Sequence, residues 1–175
     1  MPASFPKPKF ITGGCLCNNL RYRVDFPAEH DFEASSSTCQ CTQCRKQTGS
    51  LFFSNHTISP ASTQFKFTSD TATLKLYHAS PAAERAFCSE CGSFIYWKPT
   101  GKESDYVCFT IGTVDPLYLW GEGADGVEVP KEGFGLALAN GGGEHVWCGN
   151  EVKGVTEGLA LVGYGRGKRL MDSGA

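Results

Sequence analysis

Thiol sulfur is the reactive group this chain carries most densely. Seven of its nine cysteines stand in three tight groups, Cys15/Cys17, Cys39/Cys41/Cys44 and Cys88/Cys91. A structural zinc takes four protein ligands, whereas a catalytic zinc usually takes three and keeps a position for water or substrate. Four sulfurs in the outer groups and three in the middle one suit one closed and one open zinc site, which leans towards an enzyme.

A Cys-x-Cys pair such as Cys15-Leu16-Cys17 cannot complete a tetrahedron, so the fold has to bring it a second pair. Cys88-Ser89-Glu90-Cys91 is the evident partner, and Gly13-Gly14 and Gly92 beside the two pairs permit sharp turns that aim sulfurs and amides at one metal. Structural zinc contributes on the order of 10–16 kcal/mol in zinc-finger peptides, as much as a whole domain's net stability of roughly 5–15 kcal/mol. The middle group can wrap one metal alone. Candidates to close its fourth position are Cys108, Cys148, His30, His56, His78 and His145, and closure by any of them would make the site structural. Cys108, in an apolar strand, and Cys148, after Val146-Trp147, read as core residues.

A metal already bound to three thiolates is electron-rich and a modest Lewis acid. It still holds an incoming thiol as thiolate, because coordination removes a proton that otherwise leaves near pH ~8.5. The chemistry indicated is therefore that of thiolates rather than of a hydrolytic hydroxide. A zinc deaminase pairs an H/C-x-E element with a later P-C-x-x-C. Cys88-Ser89-Glu90 has the first form, but no P-C-x-x-C follows it, so that reading fails on order.

The elements that must position these ligands read as short β-strands from Phe10 to about Tyr118. The segments Arg21 to Phe26, Leu51 to Asn55, Phe65 to Thr68, Thr73 to Tyr77, Phe94 to Trp97 and Tyr106 to Ile111 are rich in β-branched and aromatic residues. No long stretch holds a helical period, and Arg45 to Thr48 suits one short turn. Residues 121–143 are dense in glycine and read as a long loop or insertion folded over one face. A last ordered piece, His145 to Thr156, precedes a Gly-Tyr-Gly-Arg-Gly-Lys-Arg run expected to fray. The expected organisation is a flexible arm over 1–9, a single domain over 10–160 and a flexible tail over 161–175.

At 175 residues and net charge −2, with scattered Lys and Arg, the chain has the size of one folded domain. It offers no electrostatic footprint for nucleic acid or membrane. Without a secretory signal or a spanning run it reads as cytoplasmic, where clustered cysteines bind metal more often than they form disulfides.

Three ordered motifs resemble the glutathione-dependent formaldehyde-activating enzyme family, which also includes centromere protein V. They are Gly13-Gly14-Cys15-Leu16-Cys17 with Arg21-Tyr22; Ser37 to Lys46 with Gly49; and Arg85-Ala86-Phe87-Cys88-Ser89-Glu90-Cys91-Gly92-Ser93. The resemblance runs from about Thr12 to Leu119, includes Ile111-Gly112-Thr113-Val114-Asp115, and extends to His145 to Thr156. It implies a mainly β fold, a β-tent of short antiparallel sheets stapled by a structural zinc at Cys15, Cys17, Cys88 and Cys91, with a catalytic zinc at Cys39, Cys41 and Cys44, two per chain. It implies S-(hydroxymethyl)glutathione synthase activity, a carbon–sulfur lyase reaction in which glutathione, held as thiolate, adds to formaldehyde or another aldehyde. Arg45 and Lys46 beside the cluster are candidates to meet glutathione carboxylates. Many members have His where this chain has Gln40, which cannot titrate, and the 121–143 insertion is placed to reshape the pocket. Three thiolates at an open site oxidise readily once metal leaves, so isolated protein can carry the structural zinc alone. The alternative function is a non-catalytic zinc-stapled protein-binding module presenting Tyr118-Leu119-Trp120.

Overall fold

The structure is a computed structural model, and it describes residues 5–101, 103–157 and 167–171. In chain order the elements are β1 (Phe10–Gly14), β2 (Arg21–Asp25), β3 (Ser36–Cys39), α1 (Thr42–Thr48), β4 (Phe53–Ile58), α2 (Ala61–Gln64), β5 (Phe65–Phe67) and β6 (Leu74–Ser80). They continue with β7 (Ala83–Cys88), β8 (Phe94–Pro99), β9 (Val107–Thr110), α3 (Pro116–Trp120), α4 (Gly135–Leu138), β10 (Glu144–Val146) and β11 (Lys168–Arg169). Among the described residues the strands form a sheet ordered β1-β2-β5 and a larger one ordered β11-β10-β3-β4-β9-β8-β7-β6. The protein is mainly β, as its strand-rich sequence implies. The larger sheet is mixed, because β10 pairs parallel with both β3 and β11.

Alternation along the strands sorts residues onto two faces. In the small sheet Ile11, Tyr22 and Val24 are buried on one side, and Tyr22 stacks on Phe65 at 5.0 Å between ring centroids. This side packs against one face of the large sheet, which presents His56, Ile58, Ala86, Tyr96, Val107 and Phe109, and Tyr22 reaches Phe109 at 6.3 Å. Directly opposed residues share a face, so the register Arg85↔Trp97, Trp97↔Cys108 and Cys108↔Thr57 lays one row across the other face. Cys39↔Phe53 lies on that second face too, since Phe53 and Thr57 are an even number of residues apart on β4.

The expected strands are present with shifted ends. The segment expected at 51–55 instead runs to Ile58, because β4 is paired on both sides and both neighbours extend it. Strand β3, Ser-Ser-Thr-Cys, has no apolar signature. It is held by polar partners: Ser36 Oγ accepts from Gly141 N–H at 2.9 Å, and Ser37 Oγ accepts from Glu144 N–H at 3.1 Å.

Within the insertion, Phe134, Ala137 and Leu138 are buried in the main core. Their anchor is on the core face, where Leu138 O accepts from His56 Nδ1 at 2.9 Å, opposite the face that bears Cys39. Gly121 closes α3 in the left-handed region at φ 77, and a Cβ there would collide with the Lys131 carbonyl, so the insertion turns back against its own start. Of the tail expected to fray, Lys168–Arg169 pair with β10, and Arg169 forms an ion pair with Glu151 at 2.8 Å. Residues 1–4 of the expected arm, and 161–166 and 172–175 of the tail, lie outside the described residues. No helix among the described residues is long and apolar enough to cross a membrane.

Candidate metal centres

Two turns, 71 residues apart in sequence at Cys17 and Cys88, meet at the first centre. After β1 the chain reverses at Cys15 to Leu20: Cys15 N–H donates to Leu20 O at 3.0 Å, and Asn18 N–H donates to Cys15 O with Asn18 at φ 63. Between β7 and β8, Gly92 at φ 73 lets its N–H donate to Cys88 O at 2.9 Å. Ser93 bolts the turns together, its Oγ accepting from Leu16 N–H at 3.0 Å and standing 3.2 Å from Cys91 Sγ.

The sulfurs of Cys15, Cys17, Cys88 and Cys91 all lie within 4.8 Å of one another. Cys15 to Cys17 is 3.5 Å and Cys17 to Cys88 is 3.7 Å. Zinc with Zn–S near ~2.3 Å sets sulfurs ~3.8 Å apart around a tetrahedron, so the donor set and spacing fit that metal. All nine cysteines are free. Amide donors already point at the sulfurs. Leu20 N–H donates to Cys15 Sγ at 3.2 Å. At Cys88, desolvation raises the thiol pKa but is outweighed by the N–H groups of Cys91 and Glu90, so the net direction is down. At Cys91, desolvation is likewise overcome by Ser93, and the pKa falls to about 6.

The second centre hangs on β3 and α1. Cys39 ends the strand, Cys41 is the residue that caps the helix, and Cys44 lies buried on the helix face turned to the sheet. Cys44 N–H donates to Cys41 Sγ at 3.3 Å, and Gly49 ends the helix at φ 65. The three sulfurs lie within 4.8 Å of one another. Hydrogen bonds from the Cys39 and Cys44 thiols pull the Cys41 pKa down, to about 2. The bond to Cys41 pushes Cys39 up, to about 12, and the bonds to Cys39 and then Cys41 push Cys44 up as well. Three soft donors so arranged fit zinc as well as the first set does.

Among the described residues no further His, Cys, Asp or Glu joins the triad. The residues expected as possible fourth ligands are engaged elsewhere. His56 Nδ1 donates to Leu138 O and its Nε2 lies 2.8 Å from His30 Nε2. His145 meets Thr38 Oγ1 at 2.8 Å and Gly141 O at 2.9 Å. Cys148 Sγ donates to His145 O at 3.2 Å, and His78 is exposed on β6. Cys108 belongs to the triad's surroundings rather than the main core: with Trp97 it packs against Cys44, Phe53 and Phe94. Burial raises its thiol to about 11, and Sγ lies 3.5 Å from Thr57 Oγ1.

Gln40 is fully buried, and its Oε1 accepts from Thr156 Oγ1 at 2.7 Å, so it ties the C-terminal segment to the triad strand. Arg45 Nη1 donates to Asn150 O at 3.3 Å from the same side. Arg45 and Lys46 line an open groove of about 540 Å³ with Gly49, Ser50 and Leu51 at the end of α1. Sequence reasoning passed over Arg85, which is 4% exposed on the triad face and donates from Nη2 to Gln43 Oε1 at 2.6 Å. Its sequence signal was only its place at the head of the Cys88 motif.

The model of the glutathione-dependent formaldehyde-activating enzyme family matches residues 10–125. An uncharacterized lyase of Schizosaccharomyces pombe is 28% identical over 94 residues, which span 54% of this chain and 61% of that protein. A crystal structure of a Rhodobacter sphaeroides protein superposes with a TM-score of 0.46 at 18% identity, over 61% of this chain and 89% of the other. The family match covers well over half of the chain and takes in both cysteine constellations, so this chain belongs to the glutathione-dependent formaldehyde-activating enzyme family.

Proposed function

We propose that the protein is a zinc-dependent carbon–sulfur lyase of the S-(hydroxymethyl)glutathione synthase type. It joins a small thiol, glutathione, to an aldehyde such as formaldehyde, or cleaves the adduct. One observation carries the reading: three convergent sulfurs at Cys39, Cys41 and Cys44 with no fourth metal-ligating side chain beside them among the described residues. That arrangement leaves a position for an incoming ligand.

When bound there, zinc supplies a charge that lets a thiol enter as thiolate at neutral pH. The protein's residues do the rest. Cys39, Cys41 and Cys44 hold the centre, with the Cys44 amide fixing the orientation of Cys41. Arg45 and Lys46 offer positive charge along the groove for the carboxylates of a glutathione-sized thiol. The substrate sulfur then forms a bond to the carbonyl carbon, and the carbonyl oxygen takes up the proton the thiol released. Cleavage is the reverse, with the C–S electron pair returning to sulfur. Gln40 is buried and cannot titrate, so it moves no proton.

The test is zinc content together with adduct formation from glutathione and formaldehyde followed by NMR. Wild type should bind two zinc ions and catalyse the exchange. Cys41→Ala should lose one zinc and at least ~10²-fold in rate, the size of effect when a group that stabilises the reacting anion is removed. Full activity in a variant that has lost that zinc would overturn the mechanism.

A further inference from the structure

Arg85 is a buried cation without a buried anion. Its Nε and Nη1 have no hydrogen-bond acceptor, and no carboxylate pairs with it among the described residues. Nε carries one hydrogen and Nη1 two, so most of the donating capacity of the guanidinium is unspent. An uncompensated buried charge is among the costliest features a fold can hold, and the one acid of β7, Glu84, lies on the opposite face, where it accepts from Tyr96 OH at 3.3 Å.

The surroundings indicate what it serves. Arg85 lies directly opposite Trp97, Trp97 lies opposite Cys108, and both Trp97 and Cys108 pack against the cluster that contains Cys39, Cys41 and Cys44. The side chain that accepts from Nη2, Gln43, lies between Cys41 and Cys44 on α1. The guanidinium is therefore seated under the metal-binding helix, on the same face of the sheet as the sulfurs.

We propose that Arg85 is the counter-charge of the Cys39–Cys41–Cys44 centre, and that it makes the open position select an anionic thiolate over a neutral ligand. The inference rests on the zinc–thiolate reading above. Three thiolates and one divalent zinc sum to −1, which Arg85 brings to zero. A neutral fourth ligand leaves that balance unchanged. A thiolate takes the centre to −1 with Arg85 in place and to −2 without it, so the cation weighs on thiolate binding far more than on neutral binding.

The experiment loads the full chain with cobalt(II). It then titrates glutathione, 2-mercaptoethanol and imidazole, reading the visible bands of the metal, while chelator competition reports the metal affinity of each centre. Arg85→Gln should weaken both thiols on the order of 10- to 100-fold and imidazole by no more than about two-fold. Equal loss for 2-mercaptoethanol, which has no carboxylate, separates charge at the metal from carboxylate recognition. Arg85→Lys should restore most of the preference. Gln43→Glu alters an exposed side chain and sets a carboxylate against the guanidinium, so it should move the preference the same way without removing a buried group. If Arg85→Gln does not fold, Gln43→Glu decides. An unchanged thiol-to-imidazole preference in these variants would overturn the proposal.

If wild type binds no thiol, the functional reading falls, and the role of Arg85 is settled by metal affinity alone. A triad affinity about ten-fold weaker in Arg85→Gln and Gln43→Glu but kept in Arg85→Lys, with the four-cysteine centre unaltered, supports the role. Equal affinities in all of them overturn it.

Discussion

Cys88 and Cys41 carry the same side chain into different surroundings. Cys88 is fully buried where two turns meet, and its sulfur helps join chain segments from different sheets. Cys41 caps a short helix and is half-exposed. Cys88→Ser should therefore leave the chain unfolded, since it forfeits a metal contribution on the order of 10 kcal/mol, comparable to the whole net stability. Cys41→Ala should melt within a few degrees of wild type. Circular dichroism melts with zinc analysis of each variant check this, and a folded, cooperative Cys88→Ser would refute it. The cysteines were legible in the sequence because metal chemistry dictates residue type and spacing directly. Arg85 was not, because its significance is a buried charge that no carboxylate answers among the described residues, which only three-dimensional surroundings define. Gln40 stands where the resemblance points to a histidine, and its bond to Thr156 reveals a structural tie that the sequence does not show.

At the level of elements, the insertion over 121–143 illustrates what pattern cannot supply. Its glycines marked it as irregular, and it is, yet its apolar island at Phe134 to Leu138 folds onto the core face rather than over the triad. The bond from His56 Nδ1 to Leu138 O makes that island part of the core. The turn at Gly121 is the hinge of that arrangement. Gly121→Ala must adopt a left-handed φ and force the Lys131 carbonyl away, so it should cost about 1–3 kcal/mol. Denaturant titration measures the loss, and zinc stoichiometry should stay at the wild-type value because both centres lie elsewhere. Strand β3 escaped recognition for a related reason: its four residues are stabilised by hydroxyl and backbone partners, and neither periodicity nor propensity records those.

Across the described residues the large sheet separates two environments, an apolar core with the His30–His56 pair on one face and the cysteine triad on the other. The core side gives the protein an acid limit independent of metal. Burial holds His56 neutral, with its pKa down from 6.5 to about 3, and desolvation lowers His30 in the same direction. The unfolded chain takes up a proton as pH falls through 6.5, and the folded protein does so only near 3. Stability present above pH 6.5 is therefore lost progressively down to about pH 3. Unfolding free energies of wild type and His56→Phe, compared from about pH 7 to about pH 4, should differ less as the pH falls. A difference that does not vary with pH would refute the assignment.

The strand at Lys168–Arg169 has a practical consequence of its own. It lies beside β10, which in turn lies beside β3, the strand that delivers Cys39. A boundary drawn after Thr156, where the ordered sequence was expected to stop, would strip that neighbour and leave β10 with a row of open amides and carbonyls. Such an edge pairs readily with another chain. For this protein a shortened expression product is thus a route to self-association beginning next to the reactive thiols, and the last residues are better kept than trimmed.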